Sequence, residues 1–115
     1  MKDTRAKGRK GEEIAGRALL HEGYEILCRN YRRAMGEIDI IAARDGCVYF
    51  VEVKAKSSAL FGSPAESVNQ AKRRRIAKVA IVYMSEAEKD TEYGFLVVSV
   101  ILNQNKVEII EDYLL

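Results

Sequence analysis

Four ionisable residues stand at alternating positions around a short turn: Glu37 and Asp39 precede Asp45-Gly46, and Glu52 and Lys54 follow it. Asp-Gly between apolar runs favours a two-residue hairpin loop. In such a hairpin facing residues have numbers that sum to 91, so Asp39 faces Glu52, Glu37 faces Lys54, and all four project from one face. Opposed carboxylates repel, more strongly where neighbours exclude water, so a compensating charge is required. A divalent cation supplies it, because Mg²⁺ and Mn²⁺ prefer oxygen ligands and commonly take one or two carboxylates plus water and substrate phosphate. Lys54 beside such a pair could orient or help deprotonate an attacking water and stabilise charge on phosphate. Together these are the parts of a phosphodiester hydrolase. The structural alternative is a Glu37–Lys54 cross-strand ion pair beside a protonated or solvated Asp39.

The elements that must position these groups follow an α-β-β-β-α-β-β order. A first helix is expected from Arg5 to Glu22, with Ile14, Ala15, Ala18, Leu19 and Glu22 at helical spacing and Gly23 ending it. Gly8, Gly11 and Gly16 are each worth about 1 kcal/mol against Ala in a helix interior, which points to a late or loose start or to a close backbone approach. Strands are expected over Tyr24–Tyr31, Glu37–Ala43 and Val48–Ala55. In the hairpin, Ile38, Ile40 and Ala42 oppose Ile41 and Ala43, and Val51 and Val53 oppose Phe50, so both its faces are apolar and covered. Ser63 as N-cap, Pro64 at the first helical position and Glu66 in a capping box start a second helix. Val68, Ala71, Ile76, Val79, Ala80 and Tyr83 carry it toward the acidic Glu86–Asp90 turn. Phe95–Leu102 and Lys106–Ile110 then read as strands joined by Asn103–Asn105.

The charge distribution points the same way as the carboxylate pair. The net charge of +2 conceals an excess of 17 Lys and Arg over 10 Asp and Glu in residues 1–78, and of 7 acids over 2 bases in residues 79–115. The bases cluster as Lys2, Arg5, Lys7, Arg9 and Lys10; as Arg29, Arg32 and Arg33; and as Lys72, Arg73, Arg74, Arg75 and Lys78. Such clusters can neutralise the phosphates of a nucleic acid, although any one of them alone would read as a solvated face. Cys28 and Cys47 lack the spacing of a zinc site and read as reduced thiols, and His21 suits the C-terminal dipole of the first helix. No apolar run approaches the ~20 residues that span a bilayer, and the basic N-terminus is not a secretory signal. The expectation is one domain over residues 1–115, located in the cytoplasm.

Gly36-Glu37-Ile38-Asp39 followed by Phe50-Val51-Glu52-Val53-Lys54 resembles the PD-(D/E)xK signature of the restriction-endonuclease-like superfamily. More closely, the chain resembles the bacterial YraN family, described as endonuclease-like and related to archaeal Holliday junction resolvases. The likeness covers nearly the whole chain. It includes Gly11-Glu12-Glu13, Arg29-Asn30-Tyr31, the hairpin, Phe61-Gly62-Ser63-Pro64 and Lys72. It implies an α/β fold with a mixed central sheet of about five strands flanked by helices. It further implies Asp39 and Glu52 as metal-binding carboxylates, Lys54 as the catalytic lysine, Glu13 as a helix-borne acid completing the metal site, and Lys72 near it. From the residues alone, Glu13 reads instead as an exposed acid paired with Arg9 or Arg17, and Gln70 as a surface residue. Two departures stand out: Lys56 replaces an expected arginine, and Gly94 and Leu96 lie where the family pattern reads Arg-Phe-Asp.

The resulting expectation is a Mg²⁺- or Mn²⁺-dependent endonuclease that hydrolyses DNA, with branched or junction DNA and a homodimer implied by the resemblance. Arg9, Lys10, Arg32, Arg33, Lys56, Lys72 and Arg73 are its candidate nucleic-acid contacts. The alternatives are a catalytically inactive nucleic-acid-binding accessory protein in DNA repair or recombination, and an interaction protein whose acidic end meets a basic partner.

Overall fold

Asp45 and Gly46 both adopt positive φ, +52° and +77°, as a two-residue hairpin turn requires. The flanking strands pair as Arg44↔Cys47, Ala43↔Val48, Ala42↔Tyr49, Ile41↔Phe50 and Ile40↔Val51, the register that the turn dictates. The computed structural model describes residues 4–58 and 70–112. Its elements are α1 (Thr4–His21), β1 (Glu25–Arg33), β2 (Gly36–Arg44), β3 (Cys47–Lys56), α2 (Gln70–Glu86), β4 (Tyr93–Ile101) and β5 (Lys106–Asp112), with a 3-10 turn at Leu102–Gln104. The expected capping box at Ser63, Pro64 and Glu66, with Val68, lies outside the described residues.

The strands form one five-stranded mixed sheet in the order β1-β2-β3-β4-β5. Only β3 and β4 run parallel. Parallel neighbours need a crossover, which is where α2 falls in the chain. The two helices cover separate cores. Ala15 and Leu19 of α1 pack with Ile40, Ala42, Val51, Leu96, Val98 and Val100. Ile76, Val79, Ala80 and Met84 of α2 pack with Tyr31, Ile38, Ile41, Val48 and Phe50. This explains the apolar character of both faces of the hairpin. Leu96 is a core residue, so the departure from the family pattern there fills the α1 layer.

The helix glycines mark close approaches, and α1 is continuous from Thr4 rather than late or loose. A Cβ on Gly11 would lie 2.5 Å from the Cβ of Ala55, so α1 rests directly on β3 there. Gly11→Ala is therefore expected to lose stability even though alanine gains about 1 kcal/mol in intrinsic helix propensity. The overpacking should outweigh this and leave a net loss of about 1–2 kcal/mol, read as a lower denaturation midpoint at unchanged m-value.

One expectation about the strands is corrected. Ile38 does not share a face with Ile40 and Ala42; it belongs to the α2 core, whereas they belong to the α1 core. The cause lies across the sheet. β1 and β2 pair through Arg29↔Ile40 and Tyr31↔Ile38, while Asn30 between them has a left-handed φ of +52°. That backbone turn rotates the following side chains to the other face, so alternation restarts after Asn30 on β1 and across Asp39 on β2.

Candidate active site

The switch at Asn30 and Asp39 coincides with the place where β2 and β3 stop pairing. The ladder runs no further than Ile40↔Val51. The next amide on β3 that needs an acceptor finds a side chain: Val53 N–H donates to Asp39 Oδ2 at 2.8 Å. Glu37 does not face Lys54. It pairs with Arg32 on β1, with Arg32 Nε 3.2 Å from Glu37 Oε1. The expected row of four facing side chains is thus a splayed end, with Asp39 directed inward and Glu37 drawn toward β1.

A cleft of about 390 Å³ opens at this splayed end, lined by Gly8, Glu12, Asp39, Glu52, Val53, Lys54, Ala55 and Lys72. Glu52 is buried in it, 8 % exposed. Its Oε1 lies 2.5 Å from Lys72 Nζ and 3.7 Å from Lys54 Nζ. Burial, followed by the charge of Glu52, raises the Asp39 carboxyl to about 7 despite the Val53 hydrogen bond, with Glu12 adding to the repulsion. Burial and the neighbouring Lys72 lower the pKa of Lys54. Burial also acts to lower that of Lys72, but its bond to Glu52 prevails and raises it. One lysine is therefore held as a firm counter-ion while the other is pushed toward releasing its proton.

The helix-borne acid in the cleft is Glu12, not Glu13. Glu13 is exposed and lines a separate groove with Arg9, Arg17, Leu20 and Arg29. Glu12 lies close enough to Glu37 and Glu52 for burial and their charges to raise its pKa. The signal was present in the helical spacing: Glu12 stands three residues before Ala15 and seven before Leu19, the two α1 residues sealed in the core. Glu13 is a further 100° around the helix.

The basic candidates separate by their surroundings. Arg9 and Lys10 are exposed on α1, and Gln70 opens the described part of α2 at the surface. Arg32 is held by Glu37. Arg33 stacks over the Tyr31 ring at 4.1 Å and is gripped by Glu86, with Nε 3.0 Å from Oε1 and Nη2 2.5 Å from Oε2, so it ties β1 to the end of α2. Lys56 closes β3 and Arg73 follows Lys72 on α2, both half-buried.

Among the described residues no three His, Cys, Asp or Glu side chains converge closely enough to form a metal cage. The donor set is the Asp39–Glu52 pair, with Glu12 nearer the rim. Two carboxylates in an open cleft suit Mg²⁺ or Mn²⁺, which complete their shells with water and phosphate, and do not suit zinc. Among the described residues no helix is long and apolar enough to cross a membrane.

Residues 11–111 match the family described as "Uncharacterised protein family UPF0102". A UPF0102 protein of Natranaerobius thermophilus is 43% identical over 108 residues, covering 92% of this chain and 91% of its own. Another, from Caldicellulosiruptor bescii, is 45% identical over 112 residues, covering 91% and 93%. The match thus takes in the hairpin, α2, α1 from Gly11 onward and every cleft residue but Gly8, and the chain belongs to the UPF0102 family.

Proposed function

We propose that the cleft is a divalent-metal site at which a DNA phosphodiester is hydrolysed. The observation that carries this reading is the half-buried Asp39 and the buried Glu52 lining one cleft at the open end of a hairpin, with Lys54 and Lys72 at its edge. Asp39 and Glu52 would hold the ion. When bound, the ion supplies Lewis-acid polarisation of the phosphoryl oxygen and acidifies a bound water. Lys54, with its lowered pKa, accepts a hydrogen bond or proton at Nζ from the attacking water. Lys72 neutralises Glu52 in the resting protein and is placed to meet phosphate charge. The Val53 N–H holds the Asp39 carboxylate through Oδ2, so Oδ1 is the oxygen that would meet the ion. A junction or branched substrate and a homodimer belong to the same proposal and are supported by the family resemblance alone, whereas a cytoplasmic location is proposed from the sequence reading.

A second reading has its own support. Lys72 already supplies Glu52 with a cation, an arrangement that a metal-free nucleic-acid-binding accessory protein could retain. Labelled linear, flapped and four-way DNA, incubated with Mg²⁺, Mn²⁺ or EDTA, separates the two. The nuclease reading expects metal-dependent cleavage by the wild type and none by Asp39→Asn/Glu52→Gln. Binding by both proteins with no cleavage by either sinks the nuclease and leaves the accessory protein. No binding at low salt sinks both.

A further inference from the structure

Beside the cleft runs a second depression, of about 310 Å³, between α1 and β1, lined by Arg9, Glu12, Glu13, Arg17, Leu20 and Arg29. It shares Glu12 with the cleft, so the two are adjacent, with Glu12 at their border. The guanidinium of Arg29, part of its lining, lies over the buried Gly16 of α1. A Cβ at Gly16 would lie 2.6 Å from Arg29 Nη2 and 2.9 Å from Nη1, so only glycine lets the guanidinium lie across the helix. The left-handed Asn30 adds a second arginine. In a regular strand Arg29 and Arg32 would point to opposite faces, but the switch between them brings Arg32 to the α1 side, where both act on the charge of Glu12. Two guanidinium groups thus stand near Glu12 on the α1 side, that of Arg29 in the groove and that of Arg32 paired with Glu37.

We propose that this groove holds the sugar–phosphate backbone of the DNA strand whose phosphodiester enters the cleft, with Arg29 bound to a phosphate flanking the scissile one. The inference rests on the nucleic-acid part of the proposed function. Arginine suits the task because its planar fork donates to two phosphate oxygens at once and keeps its charge at any working pH. The lining sets three arginines, Arg9, Arg17 and Arg29, against two acids, Glu12 and Glu13, a balance that favours an anionic backbone.

The test is fluorescence anisotropy with a fluorescein-labelled 20-base-pair DNA duplex in EDTA over a range of salt concentrations, with Mn²⁺-dependent cleavage of the same duplex measured in parallel. Arg29→Ala is expected to weaken binding about tenfold at low salt and to reduce the slope of log affinity against log salt by about 1, the signature of one lost phosphate contact. Lys106→Ala, the same charge change on β5, should alter the slope by much less. Gly16→Ala retains every charge and displaces only the guanidinium, so it should weaken binding while leaving the melting temperature unchanged or higher. Equal slopes for Arg29→Ala and Lys106→Ala, or full affinity in Gly16→Ala, overturn the groove even if the wild type cleaves DNA. A wild type that neither binds nor cleaves overturns the groove and the proposed function together. Binding that depends on Arg29 without cleavage supports the groove and sinks only the nuclease.

Discussion

Asp39→Asn is expected to make the metal-free protein more stable at pH 8 while abolishing any metal-dependent cleavage. Asparagine can still accept the Val53 N–H through its side-chain carbonyl oxygen, so the splayed hairpin end keeps its hydrogen bond. What disappears is the charge. Asp39 binds its proton more tightly in the folded chain than in the unfolded one, its pKa rising from 3.8 to about 7 through burial and the proximity of Glu52. A raised carboxyl pKa costs nothing below the unfolded value. The penalty grows as pH rises from 3.8 toward about 7 and is complete above that. At about 1.4 kcal/mol per pKa unit, its removal should stabilise the variant by on the order of 4 kcal/mol at pH 8, roughly 15 °C in melting temperature, and by little at pH 4. In EDTA, denaturation curves of the two proteins should converge as pH falls. Excess Mg²⁺ or Mn²⁺ should reverse the order at pH 8, because a ligand that binds only the folded wild type stabilises it by mass action. Activity should fall by on the order of 10³-fold or more, since the variant loses a metal oxygen. A variant less stable than wild type at pH 8 in EDTA would mean that Asp39 is not electrostatically strained by Glu52.

Lys72→Met tests the other side of the balance. The methionine keeps much of the apolar stem and removes the ammonium that lies 2.5 Å from Glu52 Oε1, leaving Lys54 Nζ, at 3.7 Å, to face that oxygen. Removing one partner of a fully buried pair typically costs 3–5 kcal/mol; Lys72 is about one third exposed, so solvent screening reduces the expected loss to about 2 kcal/mol in EDTA. If Glu52 is a metal ligand, millimolar Mg²⁺ or Mn²⁺ supplies the missing charge and the gap between variant and wild type narrows. A loss of equal size with and without metal would place Lys72 as a purely structural partner of Glu52 and weaken the metal assignment. The variant also isolates what Lys72 does for Asp39, whose carboxyl it helps to hold down.

The parts of this protein legible in its sequence are those set by neighbours along the chain. Period-two alternation and the Asp45-Gly46 turn determine the hairpin and its register from the turn as far as Ile40↔Val51, because both depend on local dihedral angles and on side-chain direction within one strand. Helical spacing likewise placed Ala15, Leu19, Ile76, Val79 and Ala80 in the core. Tertiary structure decided what those elements do at their meeting point. The left-handed Asn30 on β1 changes the facing of Ile38 on β2, an effect transmitted across the sheet and invisible to alternation within either strand. The separation of β2 from β3 beyond Ile40 turns Asp39 from a residue facing Glu52 into an acceptor for the Val53 amide. Helical spacing put Glu12 rather than Glu13 on the core side of α1, but only the seating of α1 on Ala55 at Gly11 brought that side over the cleft. Lys72, far from Glu52 in sequence, becomes its ion-pair partner only when α2 folds back over the sheet. Charges at such long separations are brought together by packing, and burial, which no local pattern encodes, then sets how strongly they act on one another.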